Sequence, residues 1–154
     1  MVKVHGATMP DIDLKALETA ESEERVRELT WAEQDRLFAA LRADLHPFIL
    51  FALMTGARQS TITELRWSDI DHDTSRMTFR LKGGRSMRFP MNREIKALLS
   101  SLPRADLAAH RAYVFTFQDQ IRKDRQRRKI VQNSSVFQDI RQALTMSEIH
   151  DFRF

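Results

Sequence analysis

The stretch Pro47-Phe48-Ile49-Leu50-Phe51-Ala52-Leu53-Met54-Thr55-Gly56-Ala57-Arg58 decides the fold class. Phe48 to Met54 is an unbroken apolar run, and Pro47 stands where a helix tolerates proline, in the first turn, whose N–H groups have no intrahelical partner. A helix apolar on nearly every side belongs in a core. Thr55-Gly56 ends it, and a shorter helix follows from about Ser60 to Arg66. Arg58 is thereby left on a corner between two helices, a charged side chain hung from the most hydrophobic element of the chain.

Working outward, Thr30-Trp31-Ala32-Glu33 has the form of a capping box, and Leu37, Phe38 and Leu41 follow at helical spacing, so a helix is predicted from about Trp31 to Arg42. Trp31 and the Phe48 to Phe51 aromatics read as core rather than as platforms for stacked bases. Ser68 to Ser75 is a polar, Asp-rich turn. Arg76 to Leu81 and Ser86 to Met91 alternate as strands do, and Lys82-Gly83-Gly84-Arg85 supplies the glycines of a hairpin turn. Asn92 caps a helix to about Leu102, before Pro103, and Tyr113 to Phe117 reads as a short strand. Ser134 or Ser135 caps a last helix through Leu144, with Val136, Phe137, Ile140, Ala143 and Leu144 on one face. The predicted fold is mainly α with a small antiparallel β-sheet, in the α+β class. Residues 1–28 read as a leader or interdomain linker and residues 29–154 as the domain.

Composition narrows the chemistry. With 154 residues and 42% hydrophobic content the chain suits one domain. Cys is absent, which excludes a disulfide framework, a thiolate nucleophile and a Cys-ligated metal, and suits a reducing cytoplasm. No apolar run reaches the roughly 20 residues of a spanning helix and Met1 to Pro10 is no secretory signal, so no membrane partner is expected and the expected location is cytoplasmic. The net charge of +4 divides unevenly: residues 1–30 hold four basic and seven acidic side chains, leaving a body with 21 basic and 14 acidic. A basic body favours a polyanion, and nucleic acid, double-stranded DNA included, is the commonest such partner. Arg122, Lys123, Arg125, Arg127, Arg128 and Lys129 form the densest basic run and are assigned nonspecific phosphate contact. Asp69, Asp71 and Asp73 open like a calcium loop, but the sixth position is Thr74 and the twelfth Arg80, so no metal is assigned there. The five histidines lack ligand spacing.

Three motifs then resemble those of the tyrosine recombinase, or phage integrase, family. Thr55-Gly56-Ala57-Arg58 with Leu65-Arg66-Trp67-Ser68-Asp69-Ile70-Asp71 is similar to its first signature, Lys82 before Gly83-Gly84 to its hairpin lysine, and His150-Asp151-Phe152-Arg153 to its His-x-x-Arg box. Any one of these is common by chance; all three, in the family's order around a strand pair and Val114-Phe115, are not. The resemblance covers about Leu29 to Phe154 and implies a tyrosine-recombinase catalytic-domain fold. It implies DNA strand cleavage and rejoining through a phosphotyrosyl link, for integration or recombination, with no metal or nucleotide cofactor. Arg58 and Arg153 would clamp the phosphate, Lys82 would protonate the leaving 5′ oxygen, and His150 would orient the phosphate and shuttle a proton. Spacing of three on a helix would set His150 and Arg153 on one face.

Two departures qualify the match. The third position after Arg58, commonly Glu in the family, is Thr61, with Glu64 a turn later. The family's nucleophilic tyrosine follows the His-x-x-Arg box by a few tens of residues, whereas Tyr113, the one tyrosine here, precedes it in a stretch that reads as a core strand. The expectation is a catalytic domain truncated before its nucleophile, inactive alone, with Ile149, Phe152 and Phe154 poorly covered. The alternative is a catalytically silent DNA-binding module that assembles with intact recombinase subunits.

Overall fold

The computed structural model describes residues 28–118, 126–131 and 135–150. Residues 1–27 of the leader, Arg122, Lys123, Arg125, Ser134 and the end of the chain from Asp151, Arg153 included, lie outside the described residues. Helix α1, Trp31–Ala40, begins at Thr30, whose hydroxyl accepts the Glu33 N–H at 3.3 Å while the Glu33 carboxylate accepts the Thr30 N–H at 2.9 Å. Leu37 is its buried residue, and Trp31, expected in the core, is 82% exposed. Six residues of helix turn Trp31 about 120° away from the face of Leu37, and at the first helical position its side chain leans toward the N-terminus, where no preceding turn lies beside it.

A single 3-10 turn, Ala43–Leu45, leads into α2, His46–Thr55, which buries Phe48, Ile49, Phe51 and Ala52. Gly56 closes it in the left-handed region (φ 61°), its N–H bonded to Ala52 O at 2.8 Å. Glycine adopts that conformation without the Cβ cost of other residues. Helix α3, Gln59–Thr63, follows at once. Strand β1, Ile70–Asp71, lies within the stretch read as a turn, and pairs with β2, Arg76–Arg80, which pairs with β3, Ser86–Pro90, in an antiparallel sheet of order β1-β2-β3. Two residues carry too little alternation to announce a strand; β1 exists because β2 offers it a partner at Ile70↔Met77. In β2, Met77 and Phe79 point into the core and Arg76 and Arg80 outward. Gly83 and Gly84 turn the hairpin with φ of 81° and 74°.

Helix α4, Arg93–Ser101, is capped by Asn92 Oδ1, which accepts the Ile95 N–H at 2.8 Å. The strand predicted at Tyr113 is shifted: Tyr113 forms an isolated bridge with Arg66, and β4 is Thr116–Gln118. Its partner β5, Arg127–Lys129, lies inside the basic run. Helix α5, Ser135–Met146, lays Val136, Phe137, Ile140 and Ala143 on the core and packs along α1. The core is built around aromatic edges, with the Phe51 ring centroid 4.8 Å from Phe115 and 6.3 Å from Phe79. Arg42 ties the layers together, donating to Asp44, to Asp139 of α5 at 2.7 Å and to the Gln118 carbonyl of β4 at 2.9 Å. The result is the expected mixture of helices with small antiparallel sheets. None of the described helices is long and apolar enough to cross a membrane.

Candidate functional site

The corner after α2 is fixed from both sides. The Thr55 hydroxyl donates to Phe51 O at 2.8 Å and accepts the Ala57 N–H at 3.3 Å, so one side chain joins the helix end to the turn. Arg58 is the N-terminal cap of α3 in extended conformation, and its carbonyl accepts the Thr61 and Ile62 N–H groups at 2.9 and 3.1 Å. The backbone of Arg58 is thus held by both helices while its side chain is exposed.

Facing this corner is the β2–β3 hairpin, and between them lies a cleft of about 770 Å³. Arg58, Thr61 and Glu64 line one wall and Arg80, Lys82 and Arg85 the other. Arg80 is occupied, its guanidinium 2.6 Å from Asp69. Among the described residues no carboxylate pairs with Arg58, Lys82 or Arg85. Uncompensated cations converging on a concave surface repel one another and are relieved by an anion, and a guanidinium on a rigid corner presents its forked donors to two oxygens at once. Thr61 in that wall is largely buried, whereas Glu64 is exposed and accepts from Lys129 Nζ at 2.6 Å.

The other anticipated residues fall differently. His150 is exposed but not helical: α5 ends at Met146, the chain turns through Glu148 (φ 56°), and the Ile149 N–H returns to Leu144 O at 3.0 Å. His150 is not among the residues lining the cleft, and the helical face read for His150 and Arg153 involves Arg153, which lies outside the described residues. Ile149, expected to be poorly covered, is 4% exposed, because that turn folds it back onto the core. In the basic run, Arg127 spends its donors on Thr116, on the hydroxyl at 3.1 Å and the carbonyl at 2.8 Å. Burial lowers its pKa, opposed by the charges of Asp44 and Asp106. Arg128 is half-buried, and Lys129 lies 4.0 Å from the centre of the Tyr113 ring. Tyr113 also faces Arg66, at 5.4 Å. Arg80, Arg85 and Met87, none of them read from the sequence as a site residue, line the cleft; the signal available was their position in the hairpin around two glycines.

The model of the phage integrase family matches residues 22–154. The chain belongs to the phage integrase family. These are the tyrosine recombinases, the family anticipated from Arg58, Lys82 and the His150 box. Among solved structures the chain is similar to one described as "Crystal structure of XerA recombinase", at 22% identity over 80% of this chain, with a TM-score of 0.48. It spans 44% of the length of that recombinase. No curated protein matches the sequence. In this integrase-family chain, the described residues hold no group of His, Asp or Glu side chains suited to a metal ion.

Proposed function

We propose that this chain is the DNA-binding, phosphate-clamping part of a site-specific tyrosine recombinase that cleaves and rejoins DNA strands. The observation that carries the reading is the shared cleft: Arg58 and Lys82, 24 positions apart, line one concavity without a carboxylate partner among the described residues. In this reading Arg58 holds the scissile phosphate by two N–H groups and stabilises the charge that builds on its oxygens as a hydroxyl nucleophile adds. Lys82, carried on a hairpin able to follow the backbone, gives its proton to the departing 5′ oxygen. Arg153 supplies the second clamp and His150 orients the phosphate, roles assigned from the family box. The free energy of the broken phosphodiester stays in the phosphotyrosyl link, so rejoining needs no nucleotide.

A second reading, a silent DNA-binding module that assembles with intact recombinase subunits, is favoured by Tyr113. It is the one tyrosine among the 154 residues, its ring is covered by Lys129, and it is not a wall of the cleft.

Fluorescence anisotropy with a short duplex at low salt tests the common part of both readings. Arg58→Ala and Lys82→Ala should each weaken binding by about tenfold, the cost of losing a charged hydrogen-bond donor to phosphate, with unchanged thermal unfolding. Wild-type affinity in both variants would remove the cleft from the DNA interface.

A further inference from the structure

Glu64 is a carboxylate in a cleft whose other charged lining groups, Arg58, Arg80, Lys82 and Arg85, are all cationic. Its partner comes from outside that set: Lys129 of β5, at 2.6 Å across 65 residues of sequence. The two ends of the pair are held very differently. The Lys129 side chain is 16% exposed and its ammonium lies over the Tyr113 ring, whereas the Glu64 side chain is 51% exposed and projects from the residue that follows a five-residue helix, held there by its backbone N–H. The ammonium is fixed and the carboxylate can swing away. Burial pulls the Lys129 pKa down, but its hydrogen bonds to Glu64 and Tyr113 outweigh this and leave it raised, so the group is charged at neutral pH.

A fixed ammonium behind a mobile carboxylate is an anion site with an internal occupant. The Glu64 oxygen marks where an incoming oxyanion would meet Nζ. We propose that Glu64 is a displaceable stand-in for a DNA phosphate: as the duplex backbone enters the cleft, a phosphate oxygen replaces the carboxylate on Lys129, which joins Arg58 and Lys82 as a cation of the interface. This deepens the reading of the cleft as a DNA phosphate site and rests on it. In the free chain Glu64 competes with DNA, and its removal strengthens binding only while Lys129 is present.

Salt-titrated anisotropy on one duplex, with wild type, E64Q, K129M and the double variant, tests the idea; methionine keeps the Lys129 stem against Tyr113. E64Q should bind about two- to fivefold more tightly, in the range of a released exposed ion pair, with a salt slope steeper by up to about one unit. K129M should bind more weakly, and E64Q should add nothing to it. An E64Q gain of equal size in the K129M background would overturn the proposal in favour of simple repulsion, as would wild-type affinity in K129M. Should K129M fail to melt as a folded protein, Glu64→Asp decides: it keeps the charge but withdraws it from Lys129, so tighter binding supports displacement and wild-type binding refutes it. Absence of DNA binding in wild type itself would instead sink the underlying reading of the cleft.

Discussion

Arg58 and Arg127 both read in the sequence as phosphate contacts, yet their surroundings differ. Arg58 has an exposed side chain on a backbone fixed by two helices, and no carboxylate partner among the described residues. Arg127 is half-buried and binds Thr116 twice. Arg127→Ala is therefore expected to lower unfolding free energy by about 1–2 kcal/mol, since it strands a buried carbonyl and hydroxyl, while Arg58→Ala changes stability by less than about 0.5 kcal/mol. Urea unfolding of the two variants measures both. The reverse order would mean that the Arg58 corner is structural. It follows that neutralising the basic run as a block would test folding as much as DNA contact.

Among the elements, β5 shows how a charged pair can hold a strand that has no apolar alternation of its own. Arg127–Lys129 carries nothing but basic residues, so neither hydrophobic period nor β propensity marks it, and it is a strand because β4 pairs with it and Glu64 and Thr116 take its cations. The β2–β3 hairpin was legible for the opposite reason: Met77 and Phe79 alternate with polar residues and two glycines stand at the turn. The α2 corner was legible because an apolar run, a Thr-Gly stop and an arginine are local features, while the Lys129–Glu64 contact joins residues 65 apart and no local pattern encodes it. The pair has a pH signature. Since the folded pKa of Lys129 lies above its ordinary 10.5, its contribution is complete below that value and is lost as pH rises through the folded pKa. The stability difference between wild type and E64Q, under about 1 kcal/mol because Glu64 is half in solvent, should be flat from pH 7 to 10 and shrink above. A difference that grows with alkalinity would contradict this sign.

At the scale of the whole molecule, the question is what the chain can do by itself. The cleft gathers Arg58 and Lys82, but the one tyrosine lies under Lys129, held in the seam where Trp67 N–H meets Ala112 O and Val114 N–H meets Leu65 O. Cations can bind a phosphate and stabilise its charge; they cannot form a covalent intermediate. Incubation of these 154 residues with a nicked suicide duplex should give no protein–DNA adduct on denaturing electrophoresis, with wild type and Tyr113→Phe alike. An adduct abolished by Tyr113→Phe would show that the seam opens and that Tyr113 reaches the cleft.

The exposure of Trp31 gives the chain an uneven optical response. Of its two tryptophans, Trp31 is 82% in solvent when folded, so its emission hardly moves on unfolding, whereas Trp67 is half-buried with the Arg104 guanidinium 4.5 Å above its ring. Replacing Trp31 with phenylalanine removes the silent fluorophore without emptying a packed position. The remaining indole belongs to a residue next in sequence to Arg66, whose backbone N–H bonds to Ala112 O beside Tyr113, and it then becomes a single quenchable lamp whose intensity follows that corner alone.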